Sequence, residues 1–148
     1  MKLSSFHLST IRRVHVDFDL TAPKLDPDAV SLALRINPTN SARRGDERRN
    51  IKGALLQPHK EGWWQLSTKG KVKSKDIHKH FEYLLKKLLP HREDILNFAK
   101  NGETYFGVLW ENTYLYAGNG PLISSQSIKG MAELNASIGF DIYQIDED

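Results

Sequence analysis

A chain of 148 residues with no cysteine and 39% hydrophobic residues is long enough to bury one core, and it excludes disulfide and thiolate–metal scaffolds. No apolar run approaches the roughly 20 residues of a membrane helix, and Met1 to His7 lack the apolar centre of a signal peptide, so the expectation is a single cytoplasmic domain. The net charge of +3 is unevenly spread: residues 41–75 hold ten basic and three acidic residues, while 101–148 hold one basic and seven acidic. An anionic partner is therefore expected to meet the middle of the chain.

Taken in order, residues 1–10 read as a flexible lead. Residues 13–20 alternate polar with apolar, which predicts a half-buried strand with Val14, Val16, Phe18 and Leu20 on one face. Asp26-Pro27 supplies an N-cap with proline at the first helical position. A short helix then turns Val30, Ala33 and Leu34 inward before Asn37-Pro38 stops it. Residues 39–60 are the longest irregular stretch, broken at Gly45, Gly53 and Pro58, with residues 51–57 able to form a brief strand. Residues 63–67 predict a strand with Trp64 and Leu66 inward, and a lysine-rich loop follows over 68–74.

Ser74 is read as the cap of a long helix in which Ile77, Phe81, Leu84, Leu85, Leu88 and Leu89 form one apolar stripe. Pro90 ends or kinks it. A third helix from Arg92 buries Ile95, Phe98 and Ala99 and closes at Asn101-Gly102 as a left-handed stop. Residues 103–111 predict a strand with Phe106, Val108 and Trp110 on one side, paired as a hairpin with 114–117 before a turn at 118–121. Ser124 or Ser125 caps a last helix carrying Ile128, Met131, Ala132 and Leu134. Ile138, Phe140 and Ile142 alternate in a closing strand, and residues 144–148 read as a flexible tail. This order predicts an α+β domain, a predominantly antiparallel sheet with helices on one face, with room for two fused ferredoxin-like halves. A doubly wound fold would need more regular alternation and a glycine-rich phosphate loop.

Several of these pieces occur in a characteristic order: the opening strand, the short helix stopped by Asn37-Pro38, Gly45-Asp46, Gly62-x-Trp64-x-Leu66, the long helix, and a late helix before a final strand. In that order the chain resembles the bacterial domain-of-unknown-function family numbered 4279. The resemblance implies a small cytoplasmic domain without an assigned activity. Some similar domains accompany toxin genes as immunity proteins.

Catalytic readings find little in the residues. His78 and His80 are two apart, about 200° around a helix, and so cannot both face one ion. His15, Asp17 and Asp19 share the outward strand face and could gather a hard cation, although a solvated face is the plainer reading. No serine carries a nucleophile motif. The expectation is a chain that is not an enzyme, with no catalytic residues, cofactor or metal. The candidate binding residues are Arg43, Arg44, Asp46, Arg48, Arg49, Trp63, Lys71 and Lys73, in which cations flank an aromatic surface. The first expectation is a non-catalytic protein-binding module, such as a toxin-neutralising immunity protein, whose partner is another protein. The alternative is nucleic-acid or phosphate binding through segment 41–75. Against a basic nuclease, the acidic last third would be the expected binding surface.

Overall fold

The computed structural model describes residues 10–113 and 120–145. The predicted hairpin partner at 114–117, part of the 118–121 turn and the last three residues of the tail lie outside them. The elements are β1 (Ile11–Ala22), α1 (Pro27–Leu34), β2 (Asn40–Ala42), β3 (Arg48–Arg49), β4 (Leu55–Leu56), β5 (Gly62–Ser67), α2 (Ile77–Leu88), a 3₁₀ turn (Leu89–His91), α3 (Arg92–Phe98), β6 (Glu103–Asn112), α4 (Ser125–Glu133) and β7 (Ser137–Gln144). One five-stranded sheet has the order β2-β5-β1-β6-β7, rather than two ferredoxin-like halves. Every pairing in it is antiparallel except β6 with β7. Among the described residues β3 and β4 pair only with each other.

The period-two pattern places the core where alternation predicts. Val14, Val16, Phe18 and Leu20 of β1, Trp64 and Leu66 of β5, and Phe106, Val108 and Trp110 of β6 are all buried on one face. The helices cover that face with Val30, Leu34, Ile77, Phe81, Leu84, Leu88, Ile95, Met131 and Leu134. At the centre Phe18 packs 5.2 Å from Phe106 and meets Trp64 edge-on at 6.4 Å, geometries that aromatic quadrupoles favour.

Hydrogen bonds tie the layers together. Trp64 Nε1 donates to Ser31 Oγ of α1 at 3.0 Å. Between β1, β5 and α2 lies a buried relay in which His80 Nε2 donates to the Ser74 carbonyl. That bond fixes the tautomer, so Nδ1 accepts from Thr68 Oγ1, which in turn accepts from the Val16 N–H. Burial lowers the His80 pKa, in keeping with a neutral ring. Thr104 Oγ1 donates to the Leu134 carbonyl and holds α4 to the sheet.

Several sequence expectations are corrected. β7 runs to Gln144, so strand structure reaches the first residue of the tail read as flexible, while β1 begins at Ile11, just past the lead, whose residues 1–9 lie outside the described residues. α2 is capped by Asp76, whose carboxylate accepts from the His78 N–H; Ser74 Oγ accepts from Asp76 instead. Ala33, Ala132 and Ile128 are exposed. The face α4 presents is Ser127, Gly130, Met131 and Leu134, because a Cβ on Gly130 would come within 2.8 Å of Leu85. Asn101-Gly102 is no left-handed stop, since neither residue has a positive φ. Gly102 is instead required where the chain crosses β1, as a Cβ there would lie 1.9 Å from the Thr21 carbonyl oxygen.

Candidate functional site

The strand order separates the chain's charges. The basic hairpin lies between β2 and β5 at one edge of the sheet, and β7, in the acidic last third, forms the other edge.

The hairpin is built by local chemistry. Asn50 Oδ1 accepts from the N–H groups of Lys52 and Ala54, and Gly53 takes a φ of 82°, so the turn closes without side-chain strain. At its base Gly45 N–H donates to the His59 carbonyl and His59 N–H to that of Asp46. The Asp46 carboxylate accepts from the Arg43 N–H at 2.7 Å, and Arg43 reaches Asp28 at 2.6 Å and Asp26 at 2.9 Å at the start of α1. Asp46 and Arg43 therefore hold the arm in place. Every residue from 43 to 58 is exposed. Arg49 pairs with Glu47 at 2.6 Å, whereas Arg44 and Arg48 have no ion pair among the described residues.

Between the hairpin and the outer sheet face is a cleft of about 720 Å³ lined by residues including Arg48, Leu56, His59, Lys60 and Trp63. Trp63 is half-buried and stacks on His59, centroids 5.8 Å apart. Its Nε1 donates to Asp19 Oδ1 at 2.6 Å, and Gln65 Nε2 donates to the same oxygen at 3.0 Å. Trp63 is thus positioned as a cleft wall rather than a free stacking platform.

Burial raises the Asp19 pKa above its ordinary 3.8, against the lowering effect of those two hydrogen bonds. Below 3.8 the carboxyl is protonated in folded and unfolded chains alike. As pH rises above 3.8 the unfolded chain ionises first, so stability falls until the folded pKa is passed, and the ionised group costs stability from there to neutral pH. Asp19→Asn is accordingly expected to melt higher than wild type at neutral pH, with the gap closing in acid; a melting series across that range checks it.

Lys71 and Lys73 do not join this cluster. Their loop leaves the far end of β5, about 17 Å from the hairpin's root at roughly 3.4 Å per strand residue, and Lys75 bonds the Arg12 carbonyl there. The sequence shows the two basic runs but not that β5 holds them apart. His78 and His80 are equally separate in use, since His80 is enclosed in the buried relay. Among the described residues no group of three or more His, Asp or Glu could hold a metal ion, and no helix is long and apolar enough to cross a membrane.

The opposite edge carries the alternating apolar residues of the closing strand. Ile138, Phe140 and Ile142 register with Phe106, Val108 and Trp110, so they point to the helix side. They are nevertheless 36%, 44% and 47% exposed, and Tyr143 and Ile145 beside them are also exposed. Among the described residues no helix packs closely on β7, which leaves this row partly open. On the outer face Tyr105 lies against Gly107 and Gly139, where a Cβ on Gly139 would meet its hydroxyl at 1.9 Å. A free strand edge with a contiguous apolar row is a surface that monomeric proteins normally blunt or cover.

The features together define a small α+β domain with one open sheet face, a basic hairpin beside one edge and an exposed apolar row along the other. The chain belongs to the DUF4279 family, described as a domain of unknown function, whose profile matches residues 12–145. No curated protein and no solved structure matches it.

Proposed function

We propose that this domain is a non-catalytic protein-binding module of the toxin-neutralising kind, acting in the cytoplasm, and that it meets its partner along β7. The observation carrying this reading is the exposed row Ile138, Phe140 and Ile142 on an edge strand whose side away from β6 pairs with none of the described residues. Such an edge can accept a partner strand through main-chain hydrogen bonds while its side chains select the sequence. Asp141 and the other acidic residues of the last third favour a basic partner surface. The hydroxyl–imidazole pair of the buried relay, Thr68 with His80 at 2.6 Å, has both residues fully buried, out of reach of a substrate.

Nucleic-acid or phosphate binding through 41–75 has the cleft cations Arg48 and Lys60 beside Trp63 in its favour. Against it stand the division of the basic runs and the internal pairing of Arg43 and Arg49. Affinity purification from source lysate, washed at low and high salt, separates the readings. The protein-binding reading predicts one stoichiometric protein retained at high salt. Phe140→Lys or Ile142→Glu should then weaken it about thirty-fold or more, as loss of an interface hot spot does, while Arg44→Ala changes little. Retention that ignores both β7 substitutions, or binding only to nucleic acid with a steep salt dependence, overturns it.

A further inference from the structure

We infer that the protein also assembles with itself, head to tail, the basic hairpin of one copy docking on the β7 edge of the next. The two surfaces lie at opposite edges of one sheet, so a single copy cannot satisfy both internally. Their charges are complementary. The hairpin presents Arg44 and Arg48 without ion pairs among the described residues, and β7 presents Asp141, its one charged residue, in the same condition.

Both surfaces also expose apolar side chains that gain by burial. On the hairpin these are Ile51 and Leu55, 104% and 64% exposed, with Leu56 beside them; on β7 they are the row already described. Both have strand edges unused among the described residues, where β3 and β4 pair only with each other and β7 only with β6. A symmetric pairing of two β7 strands would set Asp141 against its own copy. A symmetric pairing of two hairpins would oppose arginines. Charge therefore selects the unlike contact, and an unlike contact propagates into a ring or an open chain. One hairpin against one eight-residue strand is a small interface, for which micromolar association is expected.

This assembly shares β7 with the proposed partner site but stands or falls separately. A monomeric protein that still holds its partner would sink only the assembly, whereas an assembling protein that captures nothing would sink only the partner reading. Sedimentation velocity of the purified chain over a roughly hundred-fold concentration range around micromolar is the test. Assembly predicts a sedimentation coefficient that rises with concentration and falls back with added salt. The exposed-site variants Arg48→Glu/Leu55→Asp and Phe140→Lys should each be monomeric alone. Mixed in equal amounts, they should form a capped dimer and nothing larger, because one supplies the intact hairpin and the other the intact edge. A wild-type chain that is monomeric throughout, a variant that assembles as wild type does, or a mixture that stays monomeric overturns the inference.

Discussion

Trp64→Ala should cost about 3–5 kcal/mol of folding stability, the range for truncating a buried aromatic, and a large share of the roughly 5–15 kcal/mol a domain of this size possesses. Trp64 is fully buried, packs edge-on against Phe18, stands opposite Leu20 in the β1–β5 ladder, and ties β5 to α1 through Ser31. Trp64→Phe keeps most of the volume. Ser31 Oγ still donates to the Pro27 carbonyl, so that variant should lose only about 1 kcal/mol. Trp63→Ala should cost less than Trp64→Ala, because Trp63 lies half-exposed on the other face. Urea unfolding of the three variants measures this. A greater loss from Trp63→Ala would mean that β5 is shifted by one residue, which would turn every one of its side chains to the opposite face.

Gly102→Ala should cost about 3 kcal/mol or more, the upper range for overpacking, because the added methyl meets backbone rather than a side chain that can move. Its Cβ would lie 1.9 Å from the Thr21 carbonyl oxygen and 2.7 Å from Ala22 Cβ, at the start of the longest ladder in the sheet. Gly62→Ala should behave alike, with 2.1 Å to the Leu25 carbonyl oxygen, whereas Gly120, with open space around it, should tolerate alanine within about 0.5 kcal/mol. Thermal unfolding ranks the three. A mild Gly102→Ala would show that the α3–β6 connection can move away from β1.

These two sites also show which parts of the fold were legible. Alternation in β1, β5 and β6 and the stripe of α2 give the right inward residues because both sides of those contacts are apolar and the period is unambiguous. α4 is misread where Ile128 outweighs Ser127 and Gly130, since hydrophobicity does not register that a close helix approach wants small residues. Gly102 was read by its commonest use, a positive φ, when its role is to admit a neighbouring strand. Of the hairpin, β4 lies within the brief strand read over 51–57, whereas β3 escapes pattern reading because it is two polar residues long.

The candidate site was legible only in its residue types. Arg43 and Asp46 were read as ligand-binding groups, and their side chains are spent on anchoring the arm. Trp63 was read as a free aromatic face, and it is held by Asp19 and His59. For Ile138, Phe140 and Ile142 the alternation was correct, yet whether an apolar face is covered depends on how far the helical layer reaches across the sheet, and no local pattern encodes that. Asp19 was visible only as an outward carboxylate. The indole and amide that bury it come from a strand 44 and 46 residues further along the chain.

Amide hydrogen exchange of the protein, free at a concentration where it is monomeric and with its captured partner bound, tests most directly whether β7 is the docking edge. Partner binding is expected to slow exchange chiefly over residues 137–145, with the hairpin at 43–58 left close to its free rate. Protection confined to the hairpin and the Trp63 cleft, with β7 unchanged, would contradict the account.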